Sequence, residues 1–251
     1  MIRGLYTAVS QLDVQLRRQE LLAHNLANLG TPGFKQTLLA QAGRTALGLW
    51  RLGGPALTAP VGPLGTGTEL EPAAIDLSPG PITDTGEPLD LAIDGVGFFV
   101  VERPDGPAYT RDGTFFVDAE GFLTTAAGDR VLGLNGPIQV GTSDFRVDPD
   151  GTVTVGGQAV DRLRLADLSG APGIVRVGDN LLRPADPNFQ PPPAPPGTAV
   201  LQGAIEQSNV NVTETVAQLL AAMRAYQSAQ RMLLEADSTL DRALQQLGRW
   251  D

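Results

Sequence analysis

Both ends of this 251-residue chain carry an apolar stripe in a seven-residue rhythm, and the stretch between them does not. Ile2, Leu5, Val9, Leu12, Leu16, Ala23 and Leu26 follow alternating steps of three and four, with Gln19 the polar member. Toward the other end Val212, Val216, Leu219, Met223, Tyr226, Leu233, Leu240, Leu244 and Leu247 keep that rhythm, broken by Gln230 and Asp237. Such spacing lines one side of a helix with a narrow seam that buries against another helix. A fully buried leucine stabilises by about 1.5–3 kcal/mol, so a seam left in water is a large unmet driving force. The constraint points to assembly before it points to catalysis.

The pattern predicts a first helix over residues 2–28, ending where Asn28-Leu29-Gly30-Thr31-Pro32-Gly33 stacks helix breakers. A second runs from about 211 to 248, with Asn211 placed to cap it and Glu214 to reach back to the cap amide. Phe34 to Leu49 reads as either a short helix or extended chain. Gly53 to Gly67 has no periodicity and reads as a linker or extended crossing segment. From about Leu70 the texture is that of short strands. Leu89–Ile93, Phe98–Val101, Thr114–Val117, Phe122–Thr125 and Val131–Leu134 are separated by Asp- and Gly-rich turns. Asp148-Pro149-Asp150-Gly151 sits between Phe145–Val147 and Thr152–Val155 as a hairpin signal, and Leu163–Leu168 and Ile174–Val177 add further strands. Turns this close together imply antiparallel pairing. Prolines crowd Gln190–Gly197, which favours extended geometry and reads as a stiff boundary. The predicted class is α+β: long terminal helices packing as a coiled-coil-like core, with a β-rich antiparallel middle domain.

Composition removes several functions. The net charge of −10, with no basic run, argues against a nucleic-acid partner. The absence of cysteine removes thiolate chemistry and disulfides. No window approaches the roughly 20 apolar residues of a membrane helix, and no signal-peptide pattern opens the chain, so neither membrane insertion nor conventional export is expected. His24, the single histidine, lies beside the first stripe with nothing nearby to complete a catalytic or metal set. Asp90, Asp94, Asp105, Asp112, Asp118 and Asp129 raise the idea of paired carboxylates, hence a secreted carbohydrate-active β-protein as a remote alternative. Most of them adjoin turn glycines, where an aspartate bonds its own backbone. Gly95-Val96-Gly97 precedes a strand and fails as a phosphate cradle. Arg111, at a hairpin end, reads as structural.

Four blocks then carry a resemblance. They are Ile2–Ala8 with His24-Asn25-Leu26-Ala27-Asn28-Leu29-Gly30-Thr31-Pro32-Gly33-Phe34-Lys35, Leu89–Phe99 with its L-D-x-A-I-x-G-x-G-F-F form, Tyr109-Thr110-Arg111-Asp112-Gly113-Thr114-Phe115, and Gln202–Val210 followed by Arg224-Ala225-Tyr226-Gln227. In this order they resemble the axial proteins of the bacterial flagellum, in particular the basal-body rod proteins. His24 stands where that family usually has Asn, and Gln227 where Glu is common. The ending Leu240–Arg249 looks more like the proximal-rod type than the distal-rod type, with a distal-rod or hook component as the alternative.

The resemblance implies a structural subunit of the rod and no enzyme, with no cofactor, metal or small-molecule substrate. Its implied partners are other rod and hook proteins, copies of itself and the flagellar export apparatus. Its implied place is the basal body, in the cell envelope and periplasmic space, reached without a cleaved signal peptide. The organisation it implies is a rod-core helix and turn at 1–35, an extended linker region at 36–69, a β-rich outer domain at 70–190, a Pro-rich connection at 191–210 and a second rod-core helix at 211–251. The interface residues expected are Leu5, Leu12, Leu16, Leu26, Met223, Tyr226, Leu233 and Leu240. Asn25, Asn28, Pro32, Gly33, Ser208 and Asn209 are expected to shape the bends where the helices join the body.

Overall fold

A computed structural model describes residues 2–38, 41–43, 47–51, 59–64, 68–70, 74–141 and 145–247, with backbone alone at 2–7, 41–43, 47–51, 59–64, 68–70, 240, 243, 244, 246 and 247. Helix α1 (Ile2–Ala27) leads into β1 (Thr37–Leu38), β2 (Gln41–Gly43), β3 (Leu47–Arg51), β4 (Ala59–Leu64) and β5 (Thr68–Leu70). There follow β6 (Ala74–Ile75), β7 (Ile82–Asp84), β8 (Leu91–Asp94), β9 (Phe98–Glu102), β10 (Ala108–Thr110), β11 (Phe116–Val117), β12 (Leu123–Thr124) and β13 (Arg130–Val131). Then come β14 (Phe145–Val147), β15 (Thr152–Val155), β16 (Gln158–Arg162), β17 (Leu165–Ala166), β18 (Ile174–Arg176) and β19 (Leu182–Pro184). Strands β20 (Ala199–Gln202) and β21 (Ala204–Glu206) precede helix α2 (Val212–Leu247). The fold is α+β, with a helix at each end of a β-rich middle.

The chain divides into two compact units, one of residues 1–26, 38–73 and 212–251, the other of 27–37 and 74–211. The first holds both helices. In α1 the covered residues Ala8, Gln15 and Leu22 repeat every seven positions, joined by Val14 and Asn25. In α2 the covered set is Thr215, Ala222 and Ala229, again every seven. Gln19 donates its Nε2 to the Ala222 carbonyl at 3.4 Å, joining the helices. Within 36–69, the stretch expected as an extended linker, β2 pairs antiparallel with β5 and β3 with β4, the latter with a register shift between Leu49 and Trp50. Most of the expected 53–67 segment, residues 53–58 and 65–67, lies outside the described residues.

The second unit is built on a sheet ordered β11-β12-β13-β9-β10-β19-β18, with β17 also on β9. Strand β9 explains its centre. Phe98-Phe99-Val100-Val101 is an unbroken apolar run, the pattern of a strand covered on both faces. Phe99 and Val101 point into one cluster with Leu91, Phe115 and Leu123, while Phe98 and Val100 point into another with Tyr109, Leu168 and Leu182. The Phe99 and Phe115 rings meet edge to face at 5.1 Å, a favoured aromatic geometry. The Asp148–Gly151 signal closes the β14–β15 hairpin: Gly151, at φ 86°, donates its amide to the Asp148 carbonyl at 2.8 Å. Asp112 and Asp118 accept the amides of Thr114 and Phe122 on their carboxylates, at 3.0 and 2.7 Å. Strand β20 pairs antiparallel with β8 and β21 with β7, so the segment after the prolines belongs to this unit.

Candidate functional site

The segments that lead out of α1 and into α2 meet at a buried knot of charge inside the second unit. Past α1 the chain turns at Asn28–Thr31, where the Thr31 amide donates to the Asn28 carbonyl at 3.2 Å and the Thr31 hydroxyl to Asn28 Oδ1, also at 3.2 Å. Gly33 follows at φ 65°, and a Cβ there would lie 2.1 Å from the carbonyl carbon of Arg111. Only glycine fits so close a backbone approach. Its amide donates to the Glu206 carbonyl at 2.7 Å. Two residues on, Lys35 runs inward and is 1% exposed.

Lys35 Nζ lies 2.5 Å from Glu206 Oε1 and donates to the Ser78 carbonyl at 2.7 Å. Arg111 Nη1 lies 2.5 Å from Glu206 Oε2 and 2.9 Å from the Ile93 carbonyl, while Nη2 donates to the Gly95 carbonyl. Glu206 Oε1 also accepts the Gly80 amide at 2.9 Å. Arg111 and Glu206 are 3% and 1% exposed, so three charges are out of water together. Removing an ion from water costs several kcal/mol, and only close pairing with full hydrogen bonding offsets it. Burial accordingly pushes the Lys35 ammonium below its ordinary range, with Glu206 opposing the shift, and it acts on Arg111 in the same way. The Arg111 guanidinium also stands 5.3 Å from the centre of the Phe98 ring.

Around this knot Asn209 laces the two segments together. The Asn209 amide donates to the Phe34 carbonyl at 3.3 Å, and Asn209 Oδ1 accepts the Gln36 amide at 2.7 Å. Its Nδ2 donates to the carbonyls of Asp76 and Ser78 at 3.1 Å each. Asn180, at φ 56°, donates Nδ2 to the Pro32 carbonyl at 2.8 Å. Arg176 donates to the Lys35 carbonyl and stacks its guanidinium 4.3 Å above the Phe34 ring. Of the residues expected at the bends, Pro32, Gly33 and Asn209 are therefore in the lacing, Ser208 is buried with its hydroxyl accepting the Val210 amide, Asn28 is in the turn, and Asn25 is buried on α1. Sequence reasoning did not single out Lys35, Glu206 and Asn180. A signal was there: Lys35 and Glu206, like Arg111, each fall inside one of the four blocks.

The expected interface residues fall elsewhere. Leu16 and Met223 are exposed at 46% and 44%, and Val9, Val216 and Leu220 join them among exposed apolar side chains. Leu12, Leu26, Tyr226 and Leu233 are half-buried. Leu5 and Leu240 lie outside the residues whose side chains are described. No helix among the described residues is long and apolar enough to cross a membrane.

Terminal helices with uncovered apolar side chains, and a β-rich unit whose entering and leaving segments are laced around a buried charge cluster, are the features of a structural subunit. Comparison with known proteins gives the class a family. Residues 5–35 match the family described as flagella basal body rod protein, residues 92–155 the flagellar hook protein FlgE/F/G D1 domain, and residues 201–246 the flagellar basal body rod FlgEFG protein C-terminal region. The flagellar basal-body rod protein FlgF of Caulobacter vibrioides is 34% identical over 254 residues, covering 99% of each chain. FlgG of Buchnera aphidicola from Acyrthosiphon pisum is 33% identical over 269 residues, covering 99% of this chain and all of the relative. FlgF of Escherichia coli is 32% identical over 263 residues, covering 98% and 99%. The chain belongs to the flagellar basal-body rod protein family, a family of structural proteins of the flagellar basal body. The charge knot draws on all four blocks that carry the resemblance: Gly33 and Lys35, the carbonyls of Ile93 and Gly95, Arg111, and Glu206 with Asn209.

Proposed function

We propose that α1 and α2 are the assembling part of this rod subunit, packing in coiled-coil fashion with the helices of neighbouring copies and other axial proteins. The observation that carries this is the uncovered stripe. Val9 and Leu16 on α1 and Val216, Leu220 and Met223 on α2 are 37–50% exposed in the single chain. Leu5, Leu12, Leu26, Tyr226, Leu233 and Leu240 extend the contact on this reading. Asn25, Asn28, Pro32, Gly33, Ser208 and Asn209 set the directions in which the helices leave the body, and the 1–35, 36–69, 70–190, 191–210 and 211–251 segments form core, linker, outer layer, connection and core. A heterologous contact that does not close on itself generates a filament. Such a filament carries motor torque to the hook, and its subunits reach it through the flagellar export apparatus. The Leu240–Arg249 ending supports a place in the proximal rod.

The test is incorporation. A chain with Leu16→Asp and Met223→Asp, expressed in place of the native subunit, is expected to be absent from purified basal bodies and to abolish motility. Its second unit should keep native hydrogen-exchange protection. Normal incorporation of that variant overturns the reading.

A further inference from the structure

The proline run Pro191-Pro192-Pro193-Ala194-Pro195-Pro196 lies along the free edge of β17. Pro193 is bridged to Ala166 in antiparallel sense, the Asp167 amide donates to the Pro192 carbonyl at 2.8 Å, and the Ala194 amide donates to the Leu165 carbonyl at 3.0 Å. The other edge of β17 is already taken by β9, through Leu165 with Phe99 and Ala166 with Phe98. In an extended chain successive residues turn their N–H and C=O groups to opposite sides. Residues 192 and 194 therefore face β17, and residues 191 and 193 face away. Both outward residues are prolines, which have no N–H to offer. Ala194, the single non-proline of the six, stands at the one place where an inward donor is used. Its methyl sits over Gly97, where an added Cβ would come within 3.1 Å of it.

We infer that residues 191–194 form a strap that closes the edge of β17 and presents no donors to the strand of a second copy. A groove of about 450 Å³ runs along residues 193–198, lined also by Leu134, Leu163 and Leu165. An open sheet edge is a template for pairing with another chain, and proline on the outer edge removes it. In a subunit made to polymerise, sideways sheet pairing competes with ordered stacking. The strap leaves this edge inert to its copies.

The test uses the full chain carrying Leu16→Asp and Met223→Asp throughout, so that association through the helices is removed and failure of the rod reading cannot be mistaken for failure of this one. Pro191→Thr with Pro193→Val restores two outward donors and is expected to raise the dimer and higher-oligomer fraction in sedimentation velocity at least tenfold. Pro192→Thr adds a donor on the inward side alone and should sediment as the parent. Ala194→Pro removes the inward donor and should speed exchange of the Asp167 amide at least tenfold. The inference is overturned if the double variant stays monomeric, if Pro192→Thr associates as strongly, or if Ala194→Pro leaves the Asp167 amide as protected as before.

Discussion

At the scale of single residues, Glu206 holds the most. It answers two buried cations and a backbone amide at once, and its own backbone carbonyl takes the Gly33 amide. Glu206→Gln keeps the shape and removes the counter-charge, leaving Lys35 and Arg111 buried against a neutral group. Breaking a buried pair in this way costs about 3–5 kcal/mol. Urea unfolding followed through the β-body should show that loss, and a change below about 1 kcal/mol would contradict the role given to the knot. Gly33→Ala tests the neighbouring constraint. The methyl has no room beside Arg111 and φ is 65°, so the loss should exceed the ~1 kcal/mol ordinarily assigned to a glycine–alanine exchange. Sequence alone brought these positions close to view without joining them. Lys35, Arg111 and Glu206 each sit in a block of the resemblance, yet they are 76 and 95 positions apart in successive steps, and pairing over such distances is decided by the tertiary fold.

At the scale of elements, each helix carries two stripes of the same period, one residue apart. Hydrophobicity marks Val9, Leu16 and Ala23 on α1, and Val216 and Met223 on α2. In the single chain the covered residues are Ala8, Gln15 and Leu22, and Thr215, Ala222 and Ala229, each one position earlier. One residue turns a helix by about 100°, so the two stripes are adjacent faces of the same cylinder. The covered α2 face is made of small residues that a hydropathy pattern passes over, and Gln15 is polar. The difference is measurable. Leu16→Asp should change the stability of the isolated chain by no more than about 0.5 kcal/mol, as for other exposed positions. Ala222→Leu should cost about 1–3 kcal/mol, because the added bulk enters a filled contact. The reverse order in thermal unfolding would place the covered stripe on the other face. The β-strands were more legible: the Phe98–Val101 run and the Asp-Gly turns mark the central strand and its hairpins directly, since local chemistry fixes both.

At the scale of the whole molecule, an acidic chain of net charge −10 carries several carboxylates tuned by their neighbours. The Arg183 hydrogen bond holds Asp105 below its ordinary range, and the Thr152 amide and hydroxyl do the same for Asp150. Asp76 is pushed up by burial, but the bonds from Gln36 and Ser78 outweigh this and leave it low. Burial raises Asp112, which acts in the opposite sense. For each lowered carboxyl the unfolded chain binds the proton more readily. Its stabilising contribution is therefore complete above the ordinary carboxyl value of 3.8 and is lost as pH falls through the lower folded value. Denaturation midpoints measured against pH should hold level on this account down to about pH 4 and then drop. Asp150→Asn, which keeps an acceptor for Thr152 but does not titrate, should make the drop shallower. An unchanged acid limb would remove Asp150 from the account.

The bulk that α2 withholds from its covered face stands in water: Met223 and Met232 are 44% and 62% exposed. Thioether sulfur so placed is open to peroxide, which converts it to a polar sulfoxide. A subunit oxidised before it is incorporated would therefore arrive with a more hydrophilic helix surface, whereas Met223, if covered by neighbours as proposed above, would be shielded from the oxidant. Mild peroxide should then disable free subunits and spare finished rods, and mass spectrometry of the two pools would read the contrast directly.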